Sequence, residues 1–250
     1  MLKESLKTKA AIGSWIQIPS PDICEIAAAS GIDWFAVDME HTEISYESLP
    51  DMFRAVKDSS TAPFVRTRTN DRLEIRRALD IGAKGVIIPL VETAEDAMKA
   101  VESAKYPPEG VRGFAFCRAN GWGRNFDEYV KTANKETMVL VMIESRRSVE
   151  NIEEILEVNG LDGVFIGPYD MSGSYGVTGN PSHPLVEEAC NKVVEACNRA
   201  GKIAGKHIVN PDREYIQSDI RKGFSMIAVG IDVLFLRNGF DFIAKMNDGK

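Results

Sequence analysis

Two acids give this chain its first chemical reading. Glu144 closes the apolar run "MVLVMIE", and Asp170 follows the apolar run Gly163–Ile166 across a stiff Gly167-Pro168 pair in "DGVFIGPYDMSGSYG". Each stands just past a buried strand, and the two strands are consecutive, so the carboxylates can converge. Two carboxylates with no Cys or His beside them suit a hard divalent cation, Mg²⁺ or Mn²⁺, with Co²⁺ as a further option. Two protein ligands would leave positions open to water and substrate, as a Lewis-acid centre requires. The alternative makes each acid a helix cap or an ion-pair partner.

Other polar residues occupy strand ends too: Gln17, then Asp38, Glu40 and His41 in "VDMEH", then Arg66 in "FVRTR", Lys206 and His207, and Asp232. Arg66 is a cation in an apolar strand and needs an anionic partner. A carboxylate substrate or a developing enolate would serve, and so would a buried Asp. His41, beside two acids, is a candidate proton carrier near neutral pH. Lys206 raises a Schiff-base reading, weakened by the lack of a neighbour that would lower its pKa. His183, before Pro184, reads as structural.

Strand ends line up only if the strands do. Apolar runs are expected as strands at Ile12–Ile18, Trp34–Asp38, Phe64–Thr67, Gly85–Pro89, Met138–Glu144, Gly163–Gly167, Ile203–His207 and Ser225–Gly230. Several are apolar on both faces, the mark of a parallel sheet covered by helices. Helical stretches lie between them. One has Ser20 as N-cap, Pro21 in its first turn and Gly31 at its exit; another opens at Asn70 and closes at Gly82. Eight alternations over 250 residues fit a (β/α)₈ TIM barrel. A doubly wound sheet is the runner-up, without a Gly-x-Gly-x-x-Gly turn after the first strand. No linker divides the chain, so residues 1–250 are expected to form a single barrel domain. The last helix, "DVLFLRNGFDFIAKM", is apolar around much of its girth. It is either snug against its own barrel or packed on a second subunit.

A net charge of −7 argues against a nucleic-acid partner. Four scattered cysteines without a C-x-x-C pair read as free thiols in a reducing compartment. The start lacks a signal peptide's apolar core, and no run is long enough to span a membrane. A cytoplasmic location is expected.

Taken in order, "FAVDMEH", "FVRTRTNDRLEIRRALDIGAKGVIIPLVETAEDA", "KYPPEGVRGF" and "LDGVFIGPYDMSGSYG" resemble the HpcH/HpaI aldolase family, metal-dependent class II pyruvate aldolases. The resemblance covers nearly the whole chain. It implies a (β/α)₈ barrel assembled as a hexamer, a trimer of dimers, that exchanges its final helix. It implies metal ligands at Glu144 and Asp170, an arginine at Arg66, and a catalytic dyad of His41 with Asp80. It also implies a substrate site at Arg66, Asp38 and the turn Gly167, Pro168, Tyr169 and Asp170, whose N–H groups take the substrate carboxylate. The implied reaction is cleavage or formation of a C–C bond between pyruvate, as its enolate, and an aldehyde, acting on 4-hydroxy-2-oxo acids. The alternative is a Claisen-type condensation of an acyl-CoA with an oxo acid, like a siderophore-pathway citrate synthase. Met142 departs from the family's glutamine two residues before the metal glutamate, and a thioether donates no hydrogen bond. Cys117, Arg118, Asn120 and Trp122 either shape the acceptor pocket or form a packed loop.

Overall fold

The computed structural model describes residues 2–210 and 212–246. Eight parallel strands close into a barrel in sequence order, β1 pairing with β8. They are β1 Ala11–Ile16, β2 Trp34–Asp38, β3 Ala62–Arg66, β4 Gly85–Ile88, β5 Met138–Ile143, β6 Gly163–Ile166, β7 Ile203–Ile208 and β8 Met226–Ile231. The doubly wound alternative is excluded by that closure.

Period two divides each strand between two cores. Trp15, Trp34, Phe64, Leu140, Met142 and Phe165 fill the barrel interior. Phe35, Val37, Val65, Val86, Val141 and Val164 face the surrounding helices. All five residues of β2 and all six of β5 are buried, because both faces of these strands are covered. Inside, Trp34 and Phe165 meet edge to face with centroids 6.0 Å apart, a favoured aromatic geometry. This plug makes the barrel a solid platform with its polar residues at the two rims.

Helix boundaries follow local chemistry. Ser20 accepts from Ile23 N and Pro21 opens the helix Pro21–Ala29. The helix Arg72–Ile81 is capped by Asp71, which accepts from Leu73 N at 2.7 Å, rather than by the expected Asn70. Asn70 instead donates to Asp96 O. His183 caps the helix Pro184–Ala200 through Nδ1, a structural role. At the closure seam, Asp232 accepts from Gln17 N and Ile18 N, both at 2.9 Å, tying the end of β8 to the end of β1.

The final helix, Asp232–Lys245, is not snug. Phe235, Leu236, Phe240, Phe242 and Ile243 are exposed, Phe240 at 68%. Among the described residues, no helix is long and apolar enough to cross a membrane.

Candidate active site

Register brings Asp38 and Arg66 side by side at the carboxyl ends of β2 and β3. Asp38 is fully buried, and Arg66 grips it with Nε–Oδ1 at 3.0 Å and Nη2–Oδ2 at 2.7 Å. Gln17 Nε2 donates to the same Oδ2 at 2.9 Å, and the backbone N–H groups of Glu40 and His41 donate to Oδ1. Burial alone would raise the Asp38 carboxyl, but the Arg66 contacts outweigh it and the pKa is lowered. Asp38 therefore corrects its sequence assignment as a substrate ligand: both its oxygens are occupied and none of it reaches solvent. It is the buried acid that holds Arg66 in place.

Arg66 also lies 4.5 Å above the Trp15 ring, a cation–π contact in a dry setting. Its third nitrogen, Nη1, stands 3.2 Å from Glu40 Oε2, which in turn is 3.5 Å from His41 Nε2. Glu40 Oε2 is buried and makes no well-aligned hydrogen bond. Burial pushes the Glu40 carboxyl up to about 7; Arg66 opposes the rise, while the charges of Glu144, Asp38 and Asp170 add to it. His41 itself is largely exposed at the rim, its side chain 58% accessible.

Glu144 follows β5 and shares the interior-facing series of Leu140 and Met142. Its Oε1 accepts from Leu90 N at 2.9 Å. Leu90 presents that N–H from a left-handed backbone, φ 59°. A non-glycine residue there is uncommon, and such outliers gather at functional sites. Burial raises the Glu144 carboxyl, the Leu90 bond opposes the rise, and Asp170 adds to it. Asp170 is exposed in the first turn of the helix Pro168–Ser174, which no side chain caps. The backbone at Gly167 passes close: a Cβ there would meet Glu144 Cβ at 3.1 Å and Met142 Cε at 3.3 Å, so those side chains would have to give by a few tenths of an ångström. The backbone thus passes close enough to bring Asp170 toward Glu144. Pro168 is buried and Tyr169 half-exposed beside it. A cavity of 560 Å³ opens between Leu90, Glu144 and Ser145, within the range of small-molecule sites.

The rim thus gathers Glu40, His41, Arg66, Glu144 and Asp170. Asp80 does not join them. It sits in the last turn of Arg72–Ile81, a helix that runs back from the rim to the opposite end of the barrel. There it pairs with Arg112 Nη2 at 2.7 Å. Ten residues of helix cover about 15 Å, so Asp80 does not orient His41 within one chain; the acid beside His41 is Glu40. Lys206 is also displaced. It points outward from β7 into a buried pair with Asp219 at 2.8 Å and a bond to Tyr215 at 2.9 Å. Burial would lower its pKa, but these two bonds raise it, the reverse of what a Schiff-base amine needs. His207 faces inward and donates from Nε2 to Gly230 O at 3.1 Å. Burial, helped by the Arg66 charge, pushes it down to about 4, so it is neutral at pH 7. The segment with Cys117, Arg118, Asn120 and Trp122 is a loop at the far end, braced where Arg118 Nη1 donates to Ile81 O at 2.9 Å, with Trp122 exposed, so within one chain it does not border the rim.

Sequence reasoning missed Trp15 and Leu90. Trp15 was legible, since it precedes Gln17 by two residues on the same strand face. Leu90 carried no signal, because no residue type announces a left-handed leucine.

The model of the HpcH/HpaI aldolase/citrate lyase family matches residues 11–239. This chain belongs to that family. Among HpcH/HpaI relatives, the 4-hydroxy-2-oxo-heptane-1,7-dioate aldolase of Shigella sonnei is 36% identical, covering 97% of this chain and 92% of its own. The hydroxypyruvate/pyruvate aldolase of Roseobacter denitrificans is 37% identical, over 99% and 97%. The solved HpcH/HpaI family structure from Burkholderia cenocepacia superposes with a TM-score of 0.92 at 32% identity, over 98% of both chains. The solved citrate synthase SbnG gives 0.87 at 28%, over 99% and 98%.

Proposed function

We propose that this chain is a divalent-metal-dependent carbon–carbon lyase that reversibly cleaves 4-hydroxy-2-oxo acids to pyruvate and an aldehyde. The observation that carries the reading is Glu144, half-buried just past β5 with one oxygen fixed by Leu90 N–H, its pKa raised by burial and then by the charge of Asp170, with Arg66 as counter-charge. Such crowded hard oxygens fit Mg²⁺ or Mn²⁺. Glu144 and Asp170 are the two ligands we assign to an open centre, its other positions left to water and substrate. Bound there, the cation would act as a Lewis acid on the keto oxygen.

The chain's own residues do the rest. Arg66, held by Asp38 and Trp15, puts a fixed positive charge where the enolate's negative charge develops, with no reorganisation needed. His41 accepts the C4 hydroxyl proton, directly or through water, as the C3–C4 bond breaks and its electron pair passes to the enolate. The proton then returns to C3 and pyruvate leaves. Glu40 lies beside the imidazole, 3.5 Å from Nε2, and faces Arg66 at 3.2 Å. The first-turn N–H groups at Tyr169 and Asp170, behind Gly167-Pro168, receive the substrate carboxylate. Residues 1–250 act as one barrel unit, and the uncovered final helix supports assembly with other copies, a hexamer by family likeness. A cytoplasmic setting accords with the scattered free cysteines.

The test is pyruvate release from 4-hydroxy-2-oxo acids, followed by coupled lactate dehydrogenase. It should stop with EDTA and return with Mg²⁺ or Mn²⁺. Condensation of an acyl-CoA with an oxo acid, which the likeness to citrate synthase SbnG keeps in view, would instead release free CoA and no pyruvate. The aldolase names of the two relatives favour cleavage. Pyruvate release that persists without metal would refute the proposed site.

A further inference from the structure

The other end of the barrel holds a cavity of 680 Å³ that the proposed reaction does not use. It lies between the helix ends at Val56 and Gly82, the starts of β3 and β5, and the loop around Arg118. Its charged lining is Arg54, Lys57, Lys84, Arg118 and Arg124 against a single acid, Glu136. A chain of net charge −7 has no general reason to concentrate cations there.

Helix carboxyl ends attract cations as a rule, and two of these residues have such duties. Arg54 pairs with Asp51, and Arg118 donates to Ile81 O. Lys57, Lys84 and Arg124 make no ion pair among the described residues. Arg118 is also built in. Gly82, at φ 112°, leaves the space its guanidinium fills, since a Cβ there would stand 2.7 Å from Nη1. One of its five donors is used and the others remain. Burial, and then the charge of Arg54, lowers its pKa. The loop is fixed by buried Asn120, whose Oδ1 accepts from Cys117 N and Gly123 N, both at 3.0 Å. On that loop Trp122 is held at φ 55° and left 65% exposed on the cavity wall.

We propose that this cavity binds a phosphoanhydride, with Arg118, Arg124, Lys57 and Lys84 on the phosphates and the Trp122 indole against a nucleoside base. Arginine forks and lysine point charges are the usual phosphate partners. An exposed indole beside them gives a planar ring something to stack on. Within one chain it lies at the end of the barrel opposite Glu144 and Asp170.

Calorimetric titration of the full chain, in buffer free of divalent metal so that the acidic rim cannot take up a metal–phosphate complex, tests this with ADP, pyrophosphate and adenosine. ADP should bind one per chain, more weakly as salt rises, and adenosine should not bind. Trp122→Ala should weaken ADP and leave pyrophosphate unchanged; equal affinities, with no effect of that variant, would make the ligand the inorganic anion and overturn the nucleoside half. Arg124→Gln and Lys84→Gln, whose side chains bond to nothing among the described residues, should together weaken binding about tenfold or more, with metal-loaded pyruvate release unchanged. No saturable binding of either phosphate compound at low millimolar concentration, or binding indifferent to those two variants, would overturn the site.

Discussion

A guanidinium held on three sides is a tool only if its geometry is kept. Arg66 spends Nε and Nη2 on Asp38 and rests on Trp15. Arg66→Lys would keep the charge but lose the fork, so kcat should fall by about 10²-fold or more. Steady-state kinetics with an unchanged circular dichroism spectrum would check it, and near-normal kcat would show that charge alone suffices. Glu144→Ala and Asp170→Ala should each abolish turnover and cut Mn²⁺ affinity, read by electron paramagnetic resonance, while the barrel stays folded. Leu90 makes a finer test. Leu90→Val keeps the N–H but resists the left-handed backbone that aims it at Glu144 Oε1, whereas Leu90→Gly accepts that backbone and should leave the contact intact. Loss of such an outer contact is expected to weaken metal binding by about 10–100-fold; unchanged affinity would mean that Glu144 needs no orienting.

The elements show what the chain made legible and what it hid. Buried parallel strands are continuous apolar runs, and the observed strands end within two residues of their expected limits. Met138–Ile143 stops just before Glu144, the polar residue assigned to its end. The rim acids followed from that pattern, because a strand end and a rim are the same place in a barrel. Asp80 and His41 do not meet within one chain, because chain direction separates them: nine residues past Asp71, a helix has carried the chain to the other end. Lys206 was misread because period two sends it outward, to an Asp219 that lies 13 residues further on. Cap chemistry is testable at the same scale. Asp71→Ala should cost about 1 kcal/mol, lowering Tm by about 2–4 °C for a domain of this size. The final helix makes the opposite prediction. Phe240→Glu puts a charge on an apolar face the barrel leaves open. Its effect should appear in sedimentation as smaller assemblies, whereas an unchanged profile would show that this face is not buried between copies.

At the scale of the molecule, two buried groups pull the pH dependence of stability in opposite directions. Glu40 is raised from 4.5 to about 7, so the folded chain holds its proton more firmly than the unfolded chain. That contribution is complete below pH 4.5 and is lost as pH rises through about 7. His207 is lowered from 6.5 to about 4, so here the unfolded chain binds the proton more firmly. Its cost is greatest below pH 4 and fades as pH rises to about 6.5. The displacements are similar in size, so between about pH 4.5 and 6.5 the two slopes largely offset. Above that window His207 is silent and Glu40 is still titrating. Metal-free protein should therefore lose stability between about pH 6 and 8, measured as Tm in EDTA. Glu40→Gln should flatten that segment alone. Added Mg²⁺ should reverse it, because a cation at the rim favours the deprotonated acids. His207→Asn should steepen the fall below pH 6.5 by removing the opposing slope. A metal-free Tm that stays level from pH 6 to 8 in the wild type would mean that Glu40 ionises like an exposed acid, and that the rim is wetter and less crowded than its geometry requires.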